Sequence, residues 1–418
     1  MFGHKKPDVL VVGAGPVGLF AALALAKRGV EVEIVDREWR SGTRSYALAL
    51  HPESLRLLEQ AGVVADVMEH AHRVRKIGID QESERKAELR ISDLAEDHSF
   101  LAVFCQHDLE RVLEKALRAA GVKVHWSHEV TALHQDSEHV TARLNRLAKD
   151  SMGYTVQHTE WVISKTYEEK LRFVIGADGH SSQVRRALEI EFPTVADTTD
   201  FAVFEFKTDN DLTDEMRIVL NDANTNVFWP LPGGHCRWSF QIPIPANDED
   251  TREKSRNIVM PGEGYEFDLT EQHLRELIAE RAPWFHGSIE AIVWSAFVRF
   301  EGRLADSFGK GRVWLAGDAG HTTGPAGIHS MNVGLREAAD LADRIANILQ
   351  GKAPVATLED YATSRTKEWR RLLGLADDLR AGPATNPWIT ARRRRLTPCI
   401  PASGRDYERL AAQIGLQV

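Results

Sequence analysis

Three cysteines in 418 residues, Cys105, Cys236 and Cys399, are too few and too scattered for a disulfide framework or a metal-ligand pattern. Free thiols in a reducing compartment are the expectation. Long apolar runs are missing too. No stretch of about 20 apolar residues occurs, and the first apolar run, after a short polar start, is only strand-length. Neither a membrane span nor a secretory leader is expected, and a cytoplasmic location is. Basic charge is not in excess: 52 Lys and Arg face 61 Asp and Glu, for a net charge of −9. That argues against nucleic acid or an anionic membrane surface as partner. The one basic run, Arg392 to Arg395, reads as a solvated segment. There is no internal repeat, low-complexity tract, recognisable nucleophile motif or His-x-x-x-His pair. What remains is an ordinary globular composition in a chain long enough for two domains.

The N-terminal region carries a nucleotide-binding pattern. Val9-Leu10-Val11-Val12 is a short β-rich run of the kind buried on both faces. It leads into Gly13-Ala14-Gly15-Pro16-Val17-Gly18, then into an apolar helical stretch that Gly29 stops. A second strand follows over residues 30–35 and ends at Asp36. In such a βαβ unit the first glycine permits the tight turn. The second admits a pyrophosphate, and the third lets helix and strand pack closely. The helix N-terminus, with Pro16 and Val17 in its first turn, offers N–H groups and partial positive charge to phosphates. Asp36 is placed to accept hydrogen bonds from adenosine ribose hydroxyls, which suits NAD or FAD better than NADP.

Two later strands end in related turns. Residues 171–175 lead into Gly176-Ala177-Asp178-Gly179, and residues 312–316 into Gly317-Asp318-Ala319-Gly320-His321. Aspartate also favours turns and helix caps, so a purely structural role for Asp178 and Asp318 stays open. With the first glycine loop, these motifs resemble the class A flavoprotein monooxygenases, the para-hydroxybenzoate hydroxylase-like family of FAD-dependent aromatic hydroxylases. Arg44 and Gln106, Arg303-Leu304-Ala305, and Tyr361 with Arg365 fit the same pattern over roughly residues 8 to 370. The resemblance implies an α/β fold: an FAD-binding Rossmann-like domain of the glutathione reductase type with an inserted antiparallel-sheet substrate domain. Residues 1–188 with 299–380 would bind FAD, residues 189–298 would form the substrate domain (with about 75–100 able to join it), and 381–418 would be a C-terminal tail. It further implies that Asp318 meets the ribityl chain and Asp178 the pyrophosphate side. Arg37, Arg44 and Gln106 would lie along the ribose and phosphates, and Val130 would meet the adenine through its backbone.

Thr323-Gly324-Pro325-Ala326-Gly327 is a small-residue loop, and residues 330–349 have helical periodicity. A loop without bulk, represented by Pro325 and Gly327, can lie against a flat ring, with the helix N-terminus and Asn332 directed at its electron-accepting end. Here the chain departs from the family's common Gly-Gln-Gly, reading Ile328-His329-Ser330. His329, His321 and His235 are the candidates for a proton-transferring base. Between residues 189 and 298 period-two runs predict an antiparallel sheet. Its aromatic positions Trp229, Trp238, Phe240 and Trp294, with Pro325, are candidate contacts for a planar phenolic substrate, ordinary core packing being the alternative.

No second GxGxxG unit is present, so NADH or NADPH is expected as a transient donor rather than a resident. The resemblance implies reduction of FAD by NAD(P)H, addition of O2 at flavin C4a, and transfer of one oxygen atom from the hydroperoxide to an electron-rich ring. Epoxidation or Baeyer–Villiger oxygenation would use the same cofactor. A flavin-dependent halogenase is echoed by Trp238-Ser239-Phe240-Gln241-Ile242-Pro243, and a non-catalytic flavin-binding protein is the remaining alternative. The expected partners are an aromatic small molecule and O2, with no metal and no nucleic acid; a homodimer is compatible.

Overall fold

The computed structural model describes residues 6–40, 49–94, 97–152, 158–210, 214–243, 269–376 and 379–417. Arg44 lies outside them. The strand Val9–Val12 is wholly buried, between Val32–Asp36 and Phe173–Gly176, all parallel. Val313–Leu315 extends the sheet beyond Phe173–Gly176 and Val124–Trp126 beyond Val32–Asp36, with Gly309–Lys310 at the far edge.

Alternation explains why these strands are apolar throughout. Val9, Val11, Ile34 and Ile175 face the side of the helices Pro16–Lys27 and His329–Leu349. Leu10, Val12, Val35 and Val174 face a three-stranded meander, His128–Gln135, Val140–Met152 and His158–Leu171. A parallel strand covered on both faces has no solvent side to make polar.

One polar group breaks the meander-facing layer. The Glu33 and Glu169 side chains hydrogen-bond to each other beside His125 and His128. Burial first, and in Glu169 the neighbouring acid as well, raise both carboxyls above their ordinary value. A raised folded value means the folded state holds a proton that the unfolded chain releases. The contribution is complete below pH 4.5 and is lost as pH rises through the folded value. Glu169→Gln, which keeps a donor there at any pH, is expected to raise the melting temperature at pH 8 and leave it unchanged near pH 4. Equal shifts at both pH values would exclude the shared proton.

The second large sheet has eight strands. In spatial order they are His321–Thr322, Ala291–Leu304, Thr194–Lys207, His235–Ile242, Thr225–Leu231, Glu215–Leu220, Lys76–Gln81 and Glu84–Arg90. Its neighbours are antiparallel except for the parallel pair Glu215–Leu220 and Lys76–Gln81. Both faces are covered. Ala202, Phe204, Phe206, Trp238 and Phe240 pack under the helix Glu271–Arg281. Phe201, Val203, Ala296 and Val298 lie on the opposite face.

The stretch expected to be a tail is folded into the core. Helices Pro387–Leu396 and Gly404–Gln413 bury Leu396, Ile400, Tyr407 and Leu410. The basic run is not merely solvated. Arg395 donates to the Asn221 and Asn224 carbonyls of the turn between Glu215–Leu220 and Thr225–Leu231, and Arg392 pairs with Asp222. At the other end, Asp406 pairs with Arg56 at 2.5 Å. No helix among the described residues is long and apolar enough to cross a membrane.

Candidate functional site

The three glycine-aspartate segments meet at one place. Gly13 has φ +103°, and a Cβ there would press on the Ala177 carbonyl and lie 2.8 Å from the Asp178 Cα. Across the loop, a Cβ on Gly334 of the long helix would lie 2.7 Å from Val17 Cγ2 and 3.0 Å from the Gly317 Cα. The first motif therefore touches the second through Gly13 and the third through Val17. By contrast a Cβ on Gly15 would meet nothing within 4 Å. Pro16 is at the first turn of its helix, which has no side-chain cap, so the N–H groups of Val17 and Gly18 face that open space.

The acids behave differently from one another. Asp36 accepts from the Ala14 N–H at 2.6 Å and the Glu38 N–H at 2.8 Å, bracing the glycine loop; burial raises its carboxyl. Asp178 accepts from the Ser182 hydroxyl at 2.5 Å and from the Gln183 and Val184 N–H groups at 2.7 and 3.2 Å. It thus braces the short helix Gln183–Ala187, the structural alternative that its sequence left open. Asp318 is crowded by protein, which raises its carboxyl, with His321 and His180 pulling it back, yet its side chain is exposed. Both hold for a group on the floor of a groove.

The Gly317–Asp318 turn is fixed from below by a residue that motif reading missed. Glu337, 0 % exposed, accepts from the Gly317 N–H (2.8 Å), His321 Nε2 (2.9 Å) and Trp369 Nε1 (2.7 Å). The His321 ring lies on the Trp369 ring at 3.7 Å. Tyr361 supports the adjoining strand by donating to the Leu315 carbonyl, and Arg365 pairs with Glu368. The available signal was a charged residue on the apolar stripe of the helix, between Gly334 and Leu341.

The remaining expected residues divide. Pro325 is half-buried and Gly327 buried in the loop before the long helix. Asn332 is 1 % exposed, its amide engaged by the Ala49 and Ile328 carbonyls, the His51 N–H and the Ser54 hydroxyl. Gln106 bonds Glu110 at the start of the helix Gln106–Ala119. Arg37 is exposed beside Glu38, and Val130 is buried in the meander, paired with Leu144. Two candidate bases are enclosed: His321 by Glu337 and Trp369, and His329 by Gly327, His51 and Pro398. His235 is on the hairpin turn at Pro232–Gly234, its Nδ1 3.3 Å from the Pro232 carbonyl.

The aromatic quartet expected to share one substrate face does not. Sheet register puts Trp238 opposite Phe204 and Phe228, and Trp229 opposite Arg237. Trp238 and Phe240, stacked at 5.0 Å, therefore belong to the layer beneath Glu271–Arg281, with Trp284 and Phe285. Trp229 and Trp294 are on the opposite face, where the Arg237 guanidinium pairs with Glu205 and lies 5.4 Å from the Trp294 ring. Alternation makes the correction unavoidable, since neighbouring strands carry their side chains in step. Cys105 feels both charges of this pair, and burial raises its thiol. Cys105, His107 and Asp108 also offer three ligand atoms within 4.8 Å of one another. Asp108 is already paired with Arg111, and a helix N-terminus disfavours a cation.

A model of the FAD binding domain family matches residues 6–375. Pentachlorophenol 4-monooxygenase of Sphingobium chlorophenolicum is 29 % identical over 376 residues, 87 % of this chain and 63 % of that protein. A 3-(3-hydroxy-phenyl)propionate/3-hydroxycinnamic acid hydroxylase of Burkholderia vietnamiensis is 28 % identical over 414 residues, 97 % of this chain and 69 % of that protein. The chain thus spans less than two-thirds of the length of the first of these relatives. Among solved structures, p-nitrophenol 4-monooxygenase from Pseudomonas putida has a TM-score of 0.70 at 20 % identity, covering 98 % of this chain and 94 % of that one. Aklavinone-11 hydroxylase, solved with FAD and aklavinone, has a TM-score of 0.68 at 24 % identity, covering 98 % and 73 %. The open space before Gly15 and the exposed carboxylate of Asp318 fit such a cofactor, and with the family model spanning most of its length the chain belongs to the FAD binding domain family.

Proposed function

We propose that this chain is an FAD-dependent monooxygenase that inserts one atom of O2 into an aromatic, phenolic small molecule at the expense of NADH or NADPH. The observation that carries the reading is the convergence of the Gly13–Gly18, Ala177–Asp178 and Gly317–Asp318 segments beside Gly15, where an added Cβ would meet nothing within 4 Å. Relatives named for pentachlorophenol and hydroxyphenylpropionate supply the substrate class.

Bound FAD would supply the two-electron relay between the nicotinamide and dioxygen. The chain's residues supply the rest. The Val17 and Gly18 amides would hold the pyrophosphate, Asp36 the adenosine ribose and Asp318 the ribityl hydroxyls. Arg37, Gln106 and Val130 would border the adenosine half, and Pro325 and Gly327 the ring. Residues 1–188 with 299–380 form the FAD-binding part. Residues 189–298, with the strands at 76–90, form the substrate part, whose Trp229 and Trp294 face excludes water from the ring. Trp238 and Phe240 support that face from behind. A cytoplasmic setting suits the three free thiols.

The test is a purified, yellow protein incubated with NADH or NADPH, a phenol panel and 18O2. Substrate-stimulated NAD(P)H oxidation and a product heavier by one labelled oxygen are expected. Protein that stays colourless in excess FAD sinks the reading; a lactone, epoxide or halide-dependent product replaces the hydroxylation step.

A further inference from the structure

The departure at Ile328-His329-Ser330 has a structural counterpart. Ile328 precedes the helix His329–Leu349 with φ 49° and ψ 44°, the left-handed conformation. A β-branched residue is rarely found there, and holding one requires the surroundings to over-determine it. Two successive carbonyls are tied. His51 Nε2–H donates to the Gly327 carbonyl at 2.9 Å, and Asn332 Nδ2 donates to the Ile328 carbonyl at 2.8 Å. The His51 N–H in turn donates to Asn332 Oδ1 at 2.8 Å. The His329 ring stands edge-on to His51, with centroids 5.8 Å apart and planes at 83°. It fills the space under Gly327, where an added Cβ would strike His329 Nε2 and lie 2.5 Å from the Pro398 carbonyl.

We propose that His51 and His329 are positioning residues that lock the Gly327–Ile328 loop, so that its outward amides are preset for the flavin. The inference rests on the FAD reading above. With the peptides trans, a carbonyl drawn inward turns the following N–H outward. The two ties therefore direct the Ile328 and His329 amides away from His51 and Asn332. The lock favours both rings neutral: they stand edge-on in a buried site, and a second proton on His51 would put an N–H on Nδ1, which has no partner. Arg336 adds positive charge beside His51 and His321 lies near His329, while Glu368 is the compensating acid and already binds Arg336 and Arg365. Burial drives both imidazoles downward, His329 to about 4. With folded values depressed, the lock's contribution is present above pH 6.5 and is lost as pH falls toward and through 4.

The experiment measures free FAD, by fluorescence of the filtrate from the holoprotein, between pH 8 and pH 4.5. Wild type is expected to retain FAD at pH 8 and release it increasingly below pH 6. His51→Ala should weaken FAD binding at pH 8 by about tenfold or more. Adding Ile328→Gly to the same chain should recover most of that loss, because glycine accepts the left-handed conformation without the tie. The double variant His51→Gln/His329→Gln should flatten the acid release. Affinity of His51→Ala within about twofold of wild type, absence of rescue by Ile328→Gly, or an unchanged acid release would each overturn the proposal. If His51→Ala does not fold, the comparison passes to His51→Gln with and without Ile328→Gly, and lack of rescue overturns it equally. Wild type that binds no FAD at any pH fails the flavin reading itself.

Discussion

Glu337→Ala is expected to lower the unfolding free energy by about 3–5 kcal/mol, the scale of breaking a buried, hydrogen-bonded charge. The carboxylate has no exposed surface and satisfies the Gly317 N–H, His321 Nε2 and Trp369 Nε1 together. Truncation strands three buried donors, each carrying a penalty of about 1–3 kcal/mol, while water entering the space recovers part of it. Against a total stability of about 5–15 kcal/mol the loss is large. Glu337→Gln keeps the shape but turns an amide N–H toward one of the donors, so an intermediate loss is expected. Denaturant unfolding followed by tryptophan fluorescence measures both. A loss below about 1 kcal/mol for alanine would mean that the Gly317–Asp318 turn does not depend on this carboxylate.

Gly13→Val should abolish FAD retention, an affinity loss of about a hundredfold or more, equivalent to about 2.7 kcal/mol. The position has φ +103° and its backbone rests on Ala177 and Asp178, so a branched side chain cannot be placed without moving one motif off another. Gly15→Ala separates folding from binding. Its methyl enters open space in the free protein, so the melting temperature should hold while FAD affinity falls. The two variants are compared by thermal melts with and without added FAD and by equilibrium dialysis. Undiminished FAD binding by both would place the cofactor elsewhere.

Strand Val9–Val12, its glycine loop and Asp36 were readable because local chemistry fixes them: a two-sided strand must be apolar and the turn needs glycine. The long helix was placed from residue 330 and starts at His329, within the usual uncertainty of helix ends. What could not be read was partnership across the chain. Trp238 and Trp229 look alike in sequence, and only the register with Phe204 and Arg237 sends them to opposite faces. Glu337 is a single acid whose role depends on Trp369, in another helix, and on Gly317. Asn332 carried a family-like position, but its amide is held by Ala49, His51 and Ser54, nearly 300 residues earlier. The helices after residue 386 could not be read because a run of arginines suggests solvent, whereas Arg395 reaches into the loop Asn221–Thr225.

The strand order of the parallel sheet also bears on how the chain is made. Val9–Val12 is made about 160 residues before its neighbour Phe173–Gly176, and Val313–Leu315 follows later still. At about 5–20 residues per second the first strand waits roughly 8–30 seconds with one edge unpaired. During that interval it is an apolar ribbon whose free edge can pair wrongly.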